Sequence, residues 1–431
     1  MSSRISMDRL RFLLKQLRER LWVKPLIICL LSIGMVFVSK LFENARLRQF
    51  VPEVSMDSVE TLLSVMAASM LVIATFSVAS MVSAYAAASN TATPRSFVLV
   101  VADDASQNAL SAFVGAFIFS TVAITAVKND YYQTGGLFIL FVVTALVFGV
   151  VIFTFVRWVD SIARLGRMGS TLDKVEKATS EALRRRRDAP TLRGSLARAQ
   201  PAGHAVFATQ VGYVQHIDIA ALQTWAEKNE VRVILAALPG TFATPDLPLA
   251  YVAGSRADAT APDCAPVVEA FGIGPDRRFD DDPRFGLVVL AEIAGKALSP
   301  AVNDPGTAID VVGRLVRLFH LWSQPATDRN DDPPLYDRVE VPEISVRDMF
   351  DDAFTVIARD GASQVEVSVW LQKALCTLAS IGDDEMREAA SHHRGLALER
   401  SRMALTLPED LATVRDAARF TAEELPPALA G

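Results

Sequence analysis

A short turn between residues 297 and 308, which reads ALSPAVNDPGTA, carries the densest set of side chains that could do chemistry. Pro300 forbids continuation of the apolar helix before it, and Pro305 suits the first position of the next helix. The candidate ligand-binding residues are Ser299, Asn303, Asp304 and Thr307. Their oxygens would gather at the positive end of a helix, where they could hold a small ligand, a phosphate group or a hard cation.

The same turn has a structural interpretation. A cation would need more carboxylates than Asp304 alone, and a phosphate group would prefer glycines and a lysine. Asn303 or Asp304 is also a good N-cap for the helix that begins at Pro305. We therefore favour a structural helix–turn–helix and keep ligand binding as the alternative.

Two histidine-containing segments are weaker candidates. His216 and Asp218 share one face of a predicted strand, so a carboxylate–imidazole pair is possible, but no nucleophile accompanies it. His392 and His393 point about 100° apart on a predicted helix, which favours a solvated face over a metal pair. The three cysteines lie far apart without metal-ligand spacing. The sequence predicts neither a metal site nor a disulfide framework, and any cofactor is unknown.

Four apolar stretches without charged residues or histidine dominate the N-terminal part of the chain. A helix needs about 20 such residues to cross a bilayer. The stretches are Pro25–Val38, Leu62–Ala88, Ala109–Val127 and Leu137–Val156. The predicted fold class is a membrane α-helical bundle of four transmembrane helices, residues 1–160, followed by a cytoplasmic α+β domain. The lipid bilayer is its first expected partner.

The second apolar stretch is rich in alanine and serine, unlike the other three. Small residues let helices approach closely in lipid, and serines could line a wet path around an oligomer axis. The candidate packing or pore-lining residues are Ser69, Ser77, Ser80 and Ser83. The simpler interpretation makes this helix the central packing helix of the bundle. No span carries an ionisable group, which disfavours a pump or antiporter and leaves a passive pore or an anchor.

The charges that flank the spans predict the orientation. Seven Lys and Arg residues precede the first span, against Asp8 and Glu19, and Arg157, Arg164 and Arg167 follow the fourth. Because such residues stay in the cytoplasm, both termini are predicted to be cytoplasmic. A cleaved signal peptide is the competing interpretation, but the first span lacks a small-residue cleavage pattern.

Beyond the membrane the chain is predicted to continue in four segments. Apolar residues at steps of three and four predict a helical stalk over residues 161–188. Its run Arg184–Arg187 is interpreted as a solvated helix end, and the alternative is an anionic-lipid patch on a stalk that bends back to the bilayer. Prolines and glycines predict a linker over 189–203. Short strand patterns predict a small α/β or barrel-like subdomain over 204–262, and helical patterns predict a mainly helical subdomain over 263–431. Arg277, Arg278 and the acidic residues 280–282 are interpreted as a charged surface loop, although they could instead rim a site built by the turn at Asn303.

Four motifs in this chain resemble a bacterial family of predicted inner-membrane proteins that carries only a domain-of-unknown-function label. The motifs are Thr93-Pro94-Arg95 followed by Gln107, Leu110, Phe113, Gly115 and Phe117; Gly212–Asp218; Pro239–Phe242 with Pro248-Leu249-Ala250; and Ala297–Pro305 with Thr307-Ala308. The last motif is the most specific. The resemblance implies a multi-pass protein of the bacterial inner membrane and adds no activity.

Two functions remain open on the sequence. The first is a non-enzymatic membrane protein, a homo-oligomer through its second span, whose cytoplasmic domain senses a ligand or regulates a pore. The second is a membrane-anchored enzyme or ligand-binding protein with its site at the Ser299–Thr307 turn. A net charge of −6 without a concentrated basic face argues against nucleic acid as a partner, and the small ligand is unknown.

Overall fold

The computed structural model describes residues 23–41, 54–91, 93–101, 104–132, 134–164, 168–197, 203–254, 262–325 and 333–419. The chain divides into two compact units, residues 10–171 and residues 172–431, called here the N-terminal and the C-terminal unit. The basic N-terminal flank of the first span lies outside the described residues.

The N-terminal unit is a helical bundle. Its helices are α1 (Val23–Leu41), α2 (Met56–Thr91), α3 (Pro94–Val101), α4 (Asp104–Lys128) and α5 (Thr134–Arg164). In the described part of the chain, three segments are long and apolar enough to cross a membrane: Met56–Ala86, Ser106–Lys128 and Gly135–Ile162. Val23–Phe37 is apolar but shorter. The predicted membrane bundle is thus confirmed in outline, with three long spans and one shorter apolar helix.

Helix α4 lies at the centre of the bundle, where it packs against α1, α2 and α5. Phe113, Phe119 and Ala123 of α4 are fully or almost fully buried. A Cβ atom at Gly115 would collide with Ile28 of α1, so the glycine permits the close approach of these two helices. The third apolar stretch therefore takes the central position that the sequence analysis gave to the second, because its bulky residues face neighbours on three sides.

The described residues of the C-terminal unit form two sheets. One has five strands in the order β1-β8-β4-β6-β2 and the other has three in the order β5-β3-β7. The strands are β1 (Gly194–Leu196), β2 (His204–Phe207), β3 (Gly212–Ile217), β4 (Arg232–Leu235), β5 (Phe242–Ala243), β6 (Pro248–Ala253), β7 (Phe271–Gly274) and β8 (Tyr336–Val341). β1 and β4 both pair in parallel with β8, and the other pairings are antiparallel.

Helices make up the remainder of the C-terminal unit. They are α6 (Met168–Asp188, which belongs to this unit from Leu172), α7 (Ile219–Lys228), α8 (Ala265–Glu269), α9 (Pro283–Ala297), α10 (Pro305–Ser323), α11 (Val346–Asp360), α12 (Val365–Ile381), α13 (Asp384–Ala404) and α14 (Pro408–Arg419). Phe319, Phe350 and Phe354 form a buried aromatic cluster between α10 and α11, with ring centroids 4.4 to 5.6 Å apart.

Two of the predicted segments are not separate in the structure. The predicted linker contains β1, which pairs in parallel with the distant strand β8. Such a pairing is tolerated because the entropic cost of closing a loop grows only slowly with loop length. Strands β7 and β8 come from the predicted helical subdomain but complete sheets that begin in the predicted α/β subdomain. Composition marks local breaks well, but it does not reveal pairing between distant strands.

The predicted stalk helix α6 is packed into the C-terminal unit. Leu172, Val175, Thr179 and Ala182 of the predicted stripe are all buried. The absence of a side chain at Gly286 of α9 lets that helix lie directly against Thr179. Apolar residues recur with the same period in a free stalk helix and in a core helix, so the sequence could not distinguish these two structures.

Candidate functional site

The turn between α9 and α10 has the predicted local structure. Asp304 is the N-cap of α10, and its carboxylate accepts hydrogen bonds from the backbone N–H of Thr307 at 3.1 Å and from its hydroxyl group at 2.6 Å. These bonds hold the pKa of Asp304 below its usual range. Asn303 has a φ of 49°, in the left-handed region that asparagine tolerates well.

The candidate oxygens of this turn already bond within the protein. The Ser299 hydroxyl donates to the carbonyl of Lys296 at 2.7 Å, and the side-chain amide of Gln364 donates to Asn303 Oδ1 at 3.2 Å. Asn303 and Asp304 are exposed. The structure therefore brings Ser299, Asn303, Asp304 and Thr307 into one turn, with an arrangement that helix capping explains.

The four serines of α2 occupy different environments. Ser77 is fully buried inside the bundle, Ser69 and Ser80 are partly exposed, and Ser83 is exposed. Buried hydroxyls at Ser111, Ser120 and Thr144 donate to the carbonyl four residues earlier. Ser77 Oγ has no such partner among the described residues. The four serines therefore differ in burial, and of the four only Ser77 lies fully inside the bundle.

His216 pairs with Asp281, which belongs to the acidic run predicted to form a surface loop. Its Nδ1 lies 2.7 Å from Asp281 Oδ2. Asp218 instead caps α7, where its carboxylate accepts from the backbone N–H of Ala221 at 2.9 Å. The carboxylate that the structure places beside the His216 ring is therefore that of Asp281, while the Asp218 side chain caps the helix that follows the strand.

The acidic run at 280–282 is more than a surface loop. Arg277 donates twice to Asp282, at 2.7 and 3.0 Å, and the Asp282 side chain is only 3% exposed. Asp282 also caps α9 through the N–H of Phe285. Gly240 has a φ of 95°, and a Cβ atom there would collide with the Asp282 carboxylate. The motifs at 212–218 and 239–242 thus meet this loop in space.

The arginine run at the end of α6 approaches the same loop. Arg185 donates to the carbonyl of Asp280, and Arg187 donates to the carbonyl of Leu321. Arg186 is buried, donates to the carbonyl of Pro342 at 3.3 Å, and has its pKa lowered to about 10 by desolvation. The interpretation of this run as a solvated helix end is wrong for Arg186. The sequence feature that could have indicated this contact is the pair of oppositely charged runs at 184–187 and 280–282.

The two adjacent histidines of α13 differ in burial. His393 is 2% exposed, its Nε2 lies 2.9 Å from Asp351 Oδ1, and its ring packs beside Phe350 and Phe354. His392 is exposed and meets Arg347 at 2.8 Å. The predicted solvated face therefore holds for His392 alone, because neighbouring helix positions point in different directions.

Metal-ligating side chains do not gather in the described ranges. No three His, Cys, Asp or Glu side chains there are grouped so that they could hold a metal ion. His216, Arg277, Asp281 and Asp282 form hydrogen bonds between imidazole or guanidinium groups and carboxylates.

The long apolar helices of the N-terminal unit, followed by a unit of helices and sheets, indicate a membrane protein. The chain belongs to the family described as "Predicted membrane protein (DUF2254)", which it matches over residues 18–377. This confirms the resemblance found in the motifs.

The chain is also similar to three mycobacterial relatives, each named an uncharacterized protein: MT1328 and Rv1290c of Mycobacterium tuberculosis and Mb1321c of Mycobacterium bovis. Each is 33% identical over 113 residues, which is 26% of this chain and 22% of the relative. The similarity therefore spans under a quarter of each relative's length. No solved structure matches the chain.

Proposed function

We propose that the protein is a non-enzymatic homo-oligomer of the bacterial inner membrane, whose copies pack through α2 and whose C-terminal unit is a cytoplasmic sensory or regulatory domain. The observation that carries the proposal is the composition of the exposed face of α2. One side of this helix faces the bundle through a stripe at steps of three and four: Val59, Leu63, Met66, Met70, Ala74, Ser77 and Met81.

The opposite side of α2 is exposed and carries small and hydroxyl residues among large apolar ones such as Val65, Val72 and Val82. Thr75 and Ser77 are two positions apart, hence about 200° apart around the helix, and this separates the two faces. The exposed face comprises Thr61, Ser64, Ala68, Thr75 and Ala79, with Ser83 near its end. Leu71, Val72 and Phe76 flank Thr75 and Ala79 and form a shallow, open surface with them. Such a surface lets the backbone of a second helix approach closely.

The exposed surface of α5 provides the comparison. Its outward residues are large and apolar, as suits contact with lipid: Val142, Leu146, Val150, Phe153 and Val156 are 48 to 63% exposed. Both helices expose large apolar residues, but α2 adds several exposed hydroxyl and alanine side chains, and this favours α2 as the helix that meets a second copy.

The topology and a pore are further parts of the proposal. Four spans, with α1 as the short first one, would leave both termini in the cytoplasm, in agreement with the flanking charges. If more than two copies assemble around α2, the hydroxyls of Thr61, Ser64 and Thr75 would face the axis and could line a passive pore. Thr75 already donates to the carbonyl of Leu71 at 2.9 Å, as hydroxyls in spanning helices do.

The alternative function, an enzyme or ligand-binding protein with its site at the Ser299–Thr307 turn, gains no support from the geometry. The oxygens of that turn cap α10 and bond to neighbouring residues. We therefore propose a structural role for the turn.

The oligomer is tested by measuring the mass of the purified protein in detergent by light scattering coupled to size exclusion. The parent should elute as an oligomer. Ala68→Trp and Ala79→Trp should lower its mass, since a bulky ring separates the packed helices. Leu146→Trp on the exposed face of α5 is the matched control and should leave the mass unchanged. A monomeric parent would refute the proposal.

A further inference from the structure

His393 holds helix α13 against helix α11. Its side chain is only 2% exposed, and its Nε2 lies 2.9 Å from Asp351 Oδ1 of α11. Its ring packs beside the rings of Phe350 and Phe354, also on α11, with centroids 6.0 and 6.4 Å away. One imidazole therefore supplies both a polar and an aromatic contact between these two helices.

The geometry of this contact suits the neutral imidazole. An ionised carboxylate only accepts hydrogen bonds, so Nε2 carries the proton and donates a hydrogen bond to Asp351. The other ring nitrogen of His393, Nδ1, is buried and has no hydrogen-bond partner in the part of the chain that the structure describes. Protonation would place a second N–H there, and a buried N–H without an acceptor destabilises the packing around it.

The charged and titratable groups around His393 leave this preference in place. Asp351 favours the imidazolium, but its side chain is 53% exposed, so solvent screens its charge. Arg347 of α11 and His392 of α13 oppose a positive charge on His393. Burial is the largest effect, and it lowers the pKa of His393 below the ordinary histidine value.

Other contacts hold α13 on the side of α12. The Gln372 amide of α12 donates to the carbonyl of Arg394 at 3.2 Å, and the Ser401 hydroxyl donates to Ser368 Oγ at 3.0 Å. These amide, carbonyl and hydroxyl groups do not titrate near neutral pH. Loss of the His393 contact would therefore open α13 from α11 and leave it attached to α12.

We propose that the contact between His393 and Asp351 is an acid-sensitive switch: the neutral imidazole holds α13 against α11, and its protonation separates these two helices while the remainder of the C-terminal unit stays folded. The inference rests on the proposed sensory role of the C-terminal unit and names the proton as its signal. The adjacent His392 is exposed and has no such role, because water solvates its charged form.

Hydrogen–deuterium exchange of the full-length protein in detergent, followed by mass spectrometry, tests the proposal. Exchange is compared at pH 7.5 and pH 5.5, about one unit either side of the ordinary histidine pKa, after correction for the intrinsic pH dependence of amide exchange. Peptides over residues 349–357 and 389–397 should open up to about tenfold more often at the lower pH, the factor set by a histidine that is free to take up a proton only in the open state. Peptides of β4, whose Val233 is fully buried, should not change. No change in α11 and α13, or an equal change in β4, would overturn the proposal.

Two variants remove the titration and keep the space filled. His393→Gln retains an amide that can donate to Asp351, and His393→Phe keeps a ring beside Phe350 and Phe354, but neither side chain takes up a proton. Both variants should lose the response of α11 and α13 to acid. His392→Gln is the matched control and should respond as the parent does.

A variant that fails to fold is recognised by fast exchange throughout the C-terminal unit at the higher pH, and the other His393 variant then decides. An acid response that persists in a folded His393 variant would contradict the proposal.

The oligomeric mass is measured in parallel at both pH values. Exchange that does not depend on pH in an intact oligomer would reject the switch and leave the proposed assembly standing. Acid-dependent exchange of α11 and α13 in a monomeric protein would support the switch and refute the proposed assembly.

Discussion

The carboxylate of Asp304 and the side chain of Thr307 form a closed pair at the start of α10. Asp304 accepts from the Thr307 backbone at 3.1 Å through one oxygen and from the Thr307 hydroxyl at 2.6 Å through the other. Both carboxylate oxygens thus serve the first turn of the helix. Helix capping therefore accounts for both carboxylate oxygens of Asp304. Substitutions at this position can distinguish capping from ligand binding.

The first prediction compares two substitutions at Asp304. Asp304→Asn should be nearly neutral, since asparagine caps a helix as well as aspartate, whereas Asp304→Ala should lower the free energy of unfolding by about 1 kcal/mol. Thermal unfolding of the purified protein measures both. Because Asp304 has a lowered pKa, the parent should also lose a little stability as the pH falls through that pKa, and Asp304→Asn should not. A folded Asp304→Asn protein that loses its cellular phenotype would contradict the structural role.

The second prediction concerns packing inside the N-terminal unit. Ser77 is fully buried and Ser83 is exposed on the same helix. Ser77→Leu should destabilise the bundle by about 1–3 kcal/mol, because the added atoms have no room. Ser83→Leu is the control and should leave the folded protomer intact. The measurement is the temperature at which the detergent-extracted protein aggregates, and equal values for both variants would show that the interface around Ser77 is loose.

The third prediction is a pH dependence that arises from His393. Burial lowers the pKa of this histidine, against the opposing effect of Asp351. The unfolded chain therefore binds the proton more readily, and the folded state loses stability as the pH falls below about 6.5, the ordinary histidine value, towards the lowered one. Comparing melting temperatures at pH 7.5 and pH 5.5, at about one unit either side of that value, should show this loss in the parent.

His393→Gln should reduce that dependence, since the glutamine amide can bond Asp351 without titrating. The neighbouring variant His392→Gln is the matched control, because His392 is exposed and should leave the dependence unchanged. If both variants behave alike, the acid sensitivity comes from another group.

The fourth prediction concerns topology. Alkaline phosphatase and green fluorescent protein fused after Gly203 and at the C-terminus report the side of the membrane on which each point lies. The charges around Arg157 predict fluorescence and no phosphatase activity for both fusions. Phosphatase activity at either point would place the C-terminal unit in the periplasm.

Much of the secondary structure could be predicted from local patterns. The apolar stretches, the helix on each side of Pro305 and the strand at 212–217 follow from hydrophobic period and from proline and capping chemistry, all of which act within a few residues. The polar turn at Asn303 was likewise predicted in place. These features need no knowledge of the rest of the chain.

The relationships between distant segments could not be predicted in the same way. Asp281 bonds to His216 from 65 positions away, and Arg186 bonds to Pro342 from 156 positions away. A charged run has the same composition whether it faces solvent or pairs with buried groups of the protein. The sequence therefore located the charges of the candidate site, and only the fold revealed which of them meet.

The central claim, that copies of this protein pack through α2, is tested most directly by disulfide cross-linking in native membranes. Cys29, Cys264 and Cys376 are first replaced by serine or alanine, and a single cysteine is then placed at Thr75 or Ala79 on α2, or at Leu146 on α5 as the control. We predict that copper phenanthroline converts Thr75→Cys and Ala79→Cys to covalent dimers and leaves Leu146→Cys monomeric. Cross-linking at Leu146 without cross-linking at either α2 position would contradict the account.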